Sequence, residues 1–338
     1  MSNVAKLFGG GGAGGIETEG PERIFAPLPD IDWTCKGLAL CPGRPFMLAG
    51  YGFSGKSLVG EELVIASALG DDALGAFSIR RGRALYVDNE MGVRLNYGRL
   101  QRLARARGKW MEDFGDDLHV ATYPDVRFDQ KDAYDQFCRA FNSFSLVILD
   151  SFTTFVGGID ENSSEAGQPL YTLGKVSEAT GATIGVIHHA RKPVKDAPGG
   201  LAMSIRGSGA IFGACDSIYV LGATKGEPVR VEHVRSPTTG VTVDTFGLAI
   251  HDTEGGAGLR LEYLPPEQLA ADGEAKVDRA FERVATAVLE TVMRNPGVTS
   301  KNRICALTRG DRNTQLEAIR VLEEEGRIVR RDGGFYAH

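Results

Sequence analysis

The run Gly50-Tyr-Gly-Phe-Ser-Gly55-Lys56-Ser57 carries the clearest chemistry in the chain. It has the spacing G-x-x-x-x-G-K-S/T, in which glycine-permitted turns bring successive backbone N–H groups onto a phosphate at the positive end of a following helix. On this reading Gly50, Gly52, Phe53, Ser54, Gly55, Lys56 and Ser57 hold a nucleotide; Lys56 meets the terminal phosphates and the Ser57 hydroxyl ligates magnesium. The context agrees, because the apolar run FMLA precedes the loop and a helical pattern follows Lys56. Asp150 ends another apolar run, LVIL, where a strand would deliver a carboxylate to the carboxyl edge of a sheet beside the metal. Hydrolysis also needs a carboxylate that orients or deprotonates water. The run ALYVDNE offers Glu90 for that work, with Asp88 as its competitor.

These groups need a scaffold that brings strand ends together. From Phe46 onward short apolar runs alternate with helical stretches: FMLA, a helix after Lys56, ALYV, a helix near 93–107, LHVA, a helix near 131–142, and LVIL. That alternation predicts an α/β core, a mainly parallel sheet flanked by helices, which ATIGVI, SIYVL and VRVEHV extend to about residue 250. Residues 1–30, with six glycines between Gly9 and Gly15, read as a flexible arm. The core is assigned to 31–262 and a polar linker to 263–275. In 276–338, Phe281, Val284, Ala285, Val288, Leu289 and Val292 recur at helical spacing, two shorter helical patterns follow, and RIVRRDGGFYA reads as a hairpin. Three helices and a hairpin is the winged-helix order.

The 338 residues are 42 % hydrophobic and 24 % charged, which excludes a wholly disordered, collagen-like or coiled-coil chain. No apolar run approaches the ~20 residues of a membrane span, and the start lacks the apolar core of a secretory signal, so a cytoplasmic protein without a membrane partner is expected. The five cysteines are scattered and never form C-x-x-C, which indicates neither a disulfide framework nor a zinc site. A net charge of −6 excludes coating nucleic acid by bulk charge but leaves room for a local basic groove. One such stretch is 190–206, where Arg191, Lys192, Lys195 and Arg206 face a single acid, Asp196.

The nucleotide loop, Glu90, Asp150-Ser151, IHHARKP, RGSGAIFGACDSIYVL and VEHVRSPTTG, in that order, resemble the RecA-type ring ATPases. Within these the likeness is to the hexameric replicative helicases of the DnaB, bacteriophage and plasmid RepA kind, over about residues 30–250. The resemblance implies an ATP- and Mg2+-dependent homo-oligomer, a hexamer in this family, acting on single-stranded DNA with a replication initiator or primase as further partner. It implies that His189, or failing that His188, senses the terminal phosphate. The basic loop that follows would then track the DNA strand through Arg191, Lys192, Lys195 and Arg206. Arg235 matches the arginine inserted into a neighbouring subunit's site, although His233 stands where many relatives carry a lysine. The short arm points to plasmid, phage or mobile-element replication.

Residues 274–338 hold twelve Lys/Arg against ten Asp/Glu. Arg312, Asn313 and Gln315 are the groups that could meet DNA there, with Arg327, Arg330 and Arg331 on the wing, and protein docking is the alternative. The rival readings of the whole chain are a DNA-stimulated ATPase that does not unwind, recombinase- or loader-like, and a nucleotide-gated DNA-binding regulator.

Overall fold

The computed structural model describes residues 18–159, 163–190 and 209–338. The chain divides into two units, one ending at Pro265 and the other running from Pro266 to His338.

The first unit is a mixed α/β structure built on one nine-stranded sheet. Its strands are β1 (Phe46–Gly50), β2 (Ala84–Asp88), β3 (Leu118–Thr122), β4 (Leu146–Asp150), β5 (Thr183–His189), β6 (Ile218–Gly222), β7 (Val229–Arg235), β8 (Phe246–Asp252) and β9 (Leu259–Leu264). They lie in the order β3-β2-β4-β5-β1-β6-β7-β8-β9. From β3 to β6 all neighbours are parallel, because segments long enough for a crossover separate consecutive strands. From β6 onward the connections shorten to loops, and β6 to β9 pair antiparallel. The sheet thus runs beyond the expected end near residue 250.

The helices are α1 (Pro21–Ile24), α2 (Lys56–Leu69), α3 (Val93–Ala106), α4 (Met111–Phe114), α5 (Ala133–Phe141), α6 (Phe152–Phe155), α7 (Gln168–Thr180) and α8 (Gly209–Ala214). They cover both faces of the parallel part, which explains strands that are apolar throughout. In β4, Leu146 and Ile148 pack with Leu63 and Leu103 of α2 and α3, while Val147 and Leu149 pack with Phe137 and Leu173 of α5 and α7. Of the expected arm, residues 18–30 hold the single turn α1 and otherwise no regular element; residues 1–17 lie outside the described part. No helix among the described residues is long and apolar enough to cross a membrane.

The second unit contains α9 (Pro266–Arg294), α10 (Lys301–Leu307), α11 (Arg312–Glu324) and the antiparallel hairpin β10 (Ile328–Arg331) and β11 (Gly334–Ala337). Its core gathers Val288, Val292, Ile304, Ile319, Leu322, Ile328 and Phe335. Ser300 and Asp311 cap α10 and α11 by accepting from the N–H groups of Arg303 and Thr314. Where the sequence suggests a linker over 263–275, residues 263 and 264 belong to β9 and the chain from Pro266 is helical. Proline at a helix start followed by Glu, Gln, Leu and Ala favours helix whether or not an apolar stripe is present.

Close packing at Gly185 holds β5 against its neighbours. A Cβ there would lie 2.7 Å from Ile148 Cδ1 and closer still to the Phe46 ring. Gly185→Ala should therefore cost about 1–3 kcal/mol by overpacking, read as a lower urea midpoint with the slope unchanged.

Candidate functional site

The parallel register lines up the ends of five strands. Gly50 of β1 pairs with His189 of β5 and Leu221 of β6, and Asp88 of β2 pairs with Asp150 of β4. Gly50 must be glycine, since a Cβ would sit 2.6 Å from the Leu221 carbonyl oxygen. Phe53 and Gly55 take positive φ, +64° and +85°, and wrap the loop back so that α2 opens at Lys56. The first N–H groups of that helix have no partner within it and face the loop. Lys56 is buried; its Nζ donates to the Tyr51 carbonyl at 3.1 Å, and burial lowers its pKa against the opposing pull of Asp150 and Glu90. The Ser54 hydroxyl is buried without a hydrogen-bond partner among the described residues.

The two acids at the end of β2, Asp88 within it and Glu90 just after it, have different surroundings. Asp88 is buried and accepts three backbone N–H bonds, from Glu90 and Met91 on Oδ1 and from Gly92 on Oδ2, at 2.7–3.0 Å. It shapes the turn and has little capacity left for water. Glu90 projects from that turn, exposed, with Oε2 3.4 Å from His189 Nε2. His188, one residue earlier on β5, points to the other face, where it is buried edge-on to Phe152. Asp150 is buried and accepts the Tyr86 hydroxyl at 2.6 Å. Desolvation raises its pKa, and hydrogen bonds from Tyr86 and Ser57 work against that rise.

Lys56, Ser57, Glu90 and His189 line one cleft of about 370 Å3. The same cleft contains a residue that the sequence reading missed, Arg99 of α3. Its Nη1 lies 2.6 Å from Met91 Sδ and 4.0 Å from Oε1 of Glu61, a fully buried residue of α2. Arg94, Arg99 and Arg102 are alike in sequence, and only the rotation of α3 sends Arg102 to Asp252 and Arg99 to the cleft. Glu61 has no hydrogen bond to either oxygen, and burial pushes its pKa up to about 9.

Other expected site residues lie elsewhere. Arg235 pairs with Ile218, at the amino end of β6 and so at the opposite sheet edge from Gly50. Its guanidinium donates to the Phe212 carbonyl at 2.9 Å and sits over the Phe212 ring. His233 does not replace the missing cation: Nδ1 accepts from the Val243 N–H, and burial lowers its pKa. Arg191, Lys192, Lys195 and Arg206 lie outside the described residues. In the second unit Arg312 is exposed and donates to Asn302. Gln315, expected to face a ligand, is instead buried and donates to the Thr308 carbonyl, because its position on α11 faces the unit's core.

A glycine-bounded phosphate loop at the carboxyl edge of a helix-flanked, mostly parallel sheet, with a strand-end aspartate beside it, defines a P-loop ATPase core. A family model described as an AAA domain matches residues 17–194, more than half of the chain. The chain belongs to that family, which stands among the P-loop ATPases of the RecA/DnaB-like clan. No curated protein matches the chain.

Two outcomes follow from the buried acids. Asp88→Ala removes the acceptor for three N–H groups and should cost about 1–3 kcal/mol in urea unfolding. It should also depress ATP turnover more than nucleotide affinity, since Glu90 loses its turn. Glu61 keeps its proton in the folded state up to about pH 9, against an ordinary value of 4.5. Its folded pKa is raised, so Glu61 subtracts stability progressively as pH climbs between those two values. Arg99 moderates this effect, while Asp150 and Asp88 add to it. Glu61→Gln should therefore be more stable than wild type by on the order of 1–4 kcal/mol at pH 8, with the gain vanishing near pH 4.

Proposed function

We propose that this chain is an ATP-dependent DNA helicase or translocase that assembles into a ring, hexameric as in the family it resembles. It acts on single-stranded DNA in the cytoplasm during replication of a plasmid, phage or mobile element. The observation that carries this reading is the 3.4 Å approach of His189 to Glu90. It puts a strand-end histidine against the water-activating acid, directly ahead of the basic segment with Arg191, Lys192, Lys195 and Arg206. Loss of the terminal phosphate would be felt at that pair and passed to the segment that holds the DNA backbone.

In this mechanism the loop N–H groups and Lys56 bind the phosphates, and Glu90 orients the attacking water and takes its proton. The donor set suits magnesium: Ser57 and Asp150 are hard oxygen ligands, and a magnesium ion carried by a nucleotide uses one or two protein oxygens. Bound there, the ion would screen the phosphate charge. Arg99 adds a cation from the same chain. Arg235, tied to Phe212 at the far sheet edge, serves a neighbour's site rather than its own, which makes the ring a condition of turnover.

We read the second unit as a winged helix. Its capped α10 and α11 with exposed Arg312 favour DNA contact and give some support to a second reading, a nucleotide-gated DNA-binding regulator. Docking a replication initiator or primase is the other use of that unit.

The test is ATP hydrolysis with and without single-stranded DNA, together with unwinding of a forked duplex. Single strands should stimulate wild-type turnover. Lys56→Ala, Glu90→Gln and Arg235→Ala should each lose about 100-fold or more, and mixing Arg235→Ala with Lys56→Ala should restore part of the activity. A fully active Arg235→Ala monomer would defeat the shared site. Hydrolysis indifferent to oligonucleotide, with tight preference for one duplex sequence, would favour the regulator.

A further inference from the structure

Beside the phosphate loop lies a second cleft, of about 570 Å3, between residues 51–54 and the adjoining parts of β6, β7 and β8. Its floor is apolar, with Leu221, Val229, Leu248 and Ile250. Its polar lining side chains include Thr224 and Lys225, both exposed on the turn after β6. The two clefts share Gly52, Phe53, Ser54 and Ile250, so one ligand lying along the loop reaches both.

Phe53 stands on that shared boundary. Its side chain is fully exposed and its φ of +64° is one that a bulky residue rarely adopts. The positive φ serves the wrap of the loop, but exposure of so large an apolar ring is unfavourable in the free protein, and no packing offsets it. A bound ligand can. A nucleotide has a phosphate chain at one end and a flat, weakly polar ring at the other; the loop takes the first, and the adjoining apolar floor suits the second.

We propose that Phe53 and the cleft floored by Leu221, Val229, Leu248 and Ile250 form the nucleobase subsite, with the Phe53 ring stacking on the base. This rests on the reading of the loop as a nucleotide site. Thr224 and Lys225 on the polar rim are exposed, so the grip comes from stacking and apolar contact more than from hydrogen-bond readout.

The experiment compares binding of ADP with binding of tripolyphosphate, which has no base, by calorimetry on the full chain with magnesium present. Phe53→Ala should weaken ADP by about tenfold or more while leaving tripolyphosphate within about twofold. Phe53→Tyr, which keeps a ring, should recover most of the lost ADP affinity. An unchanged ADP affinity in Phe53→Ala would overturn the proposal, and so would an equal loss for both ligands, which would mean that Phe53 only shapes the loop. Because the side chain is exposed, an unchanged melting temperature accompanies the expected result. Lys56→Ala should weaken both ligands; if it weakens neither, the nucleotide reading of the loop fails, separately from the role of Phe53.

Discussion

The site depends on strand register. Gly50, Asp88, Asp150 and His189 close four strands that are distant in sequence, yet they end on one edge because β1, β2, β4 and β5 pair parallel without a slip. Side chains alternate along a strand, so a one-residue shift of β5 would put His188 in the cleft and His189 against Phe152. The register is held because both faces of the sheet are buried. Every strand in this part must satisfy two cores at once, and Gly185 of β5 and Gly60 of α2 permit close approach to Phe46, Ile148, Ile187 and Tyr86.

The same burial that fixes the register shapes the electrostatics of the cleft. Lys56 and Asp150 are each pushed toward neutrality by desolvation; Asp150 and Glu90 restrain the shift of Lys56, and hydrogen bonds from Tyr86 and Ser57 restrain that of Asp150. Tyr86 and Ser57 hold Asp150 in place, and the Tyr51 carbonyl holds Lys56. Fixed dipoles and charges in a partly dry setting interact more strongly with a phosphate than they would in water, and they need little rearrangement when it arrives. Glu61 is the cost of this design: a carboxyl enclosed between α2 and α3 with no hydrogen bond, kept neutral at ordinary pH.

Much of this was legible in the sequence, because the signals were local. The phosphate loop is a contiguous motif between a strand and a helix, and LVIL ending in Asp150 announces a strand with an acid at its tip. What was hidden depends on rotation and tertiary context. Asp88 and Glu90 are equivalent acids until the turn forms and three N–H groups converge on one of them. Arg99 differs from Arg94 and Arg102 only by its angle around α3. Gln315 is a polar residue at a helix start, and only the packing of α11 sends it inward to Thr308. The antiparallel strands past residue 250 were obscured because alternation in a half-covered edge is weaker than an unbroken apolar run.

The charge of the cleft bears on assembly. Lys56 and Arg99 are the lysine and arginine among the described residues that line it, and they share it with Glu90, while Asp150 lies close behind. A nucleoside triphosphate adds several negative charges to that balance, and a transferring phosphoryl group spreads charge over oxygens that two cations cannot all meet. A divalent ion, held by Ser57 and Asp150, would offset part of that charge. Among the described residues that line the cleft no further lysine or arginine meets the outward side, and the chain's own Arg235 is at the far edge of its sheet, in a strand that runs away from the loop. In the ring proposed above, another copy would bring that arginine to the open side. On that proposal the open side of one protomer's cleft and the distant Arg235 of the same protomer answer each other across a subunit boundary.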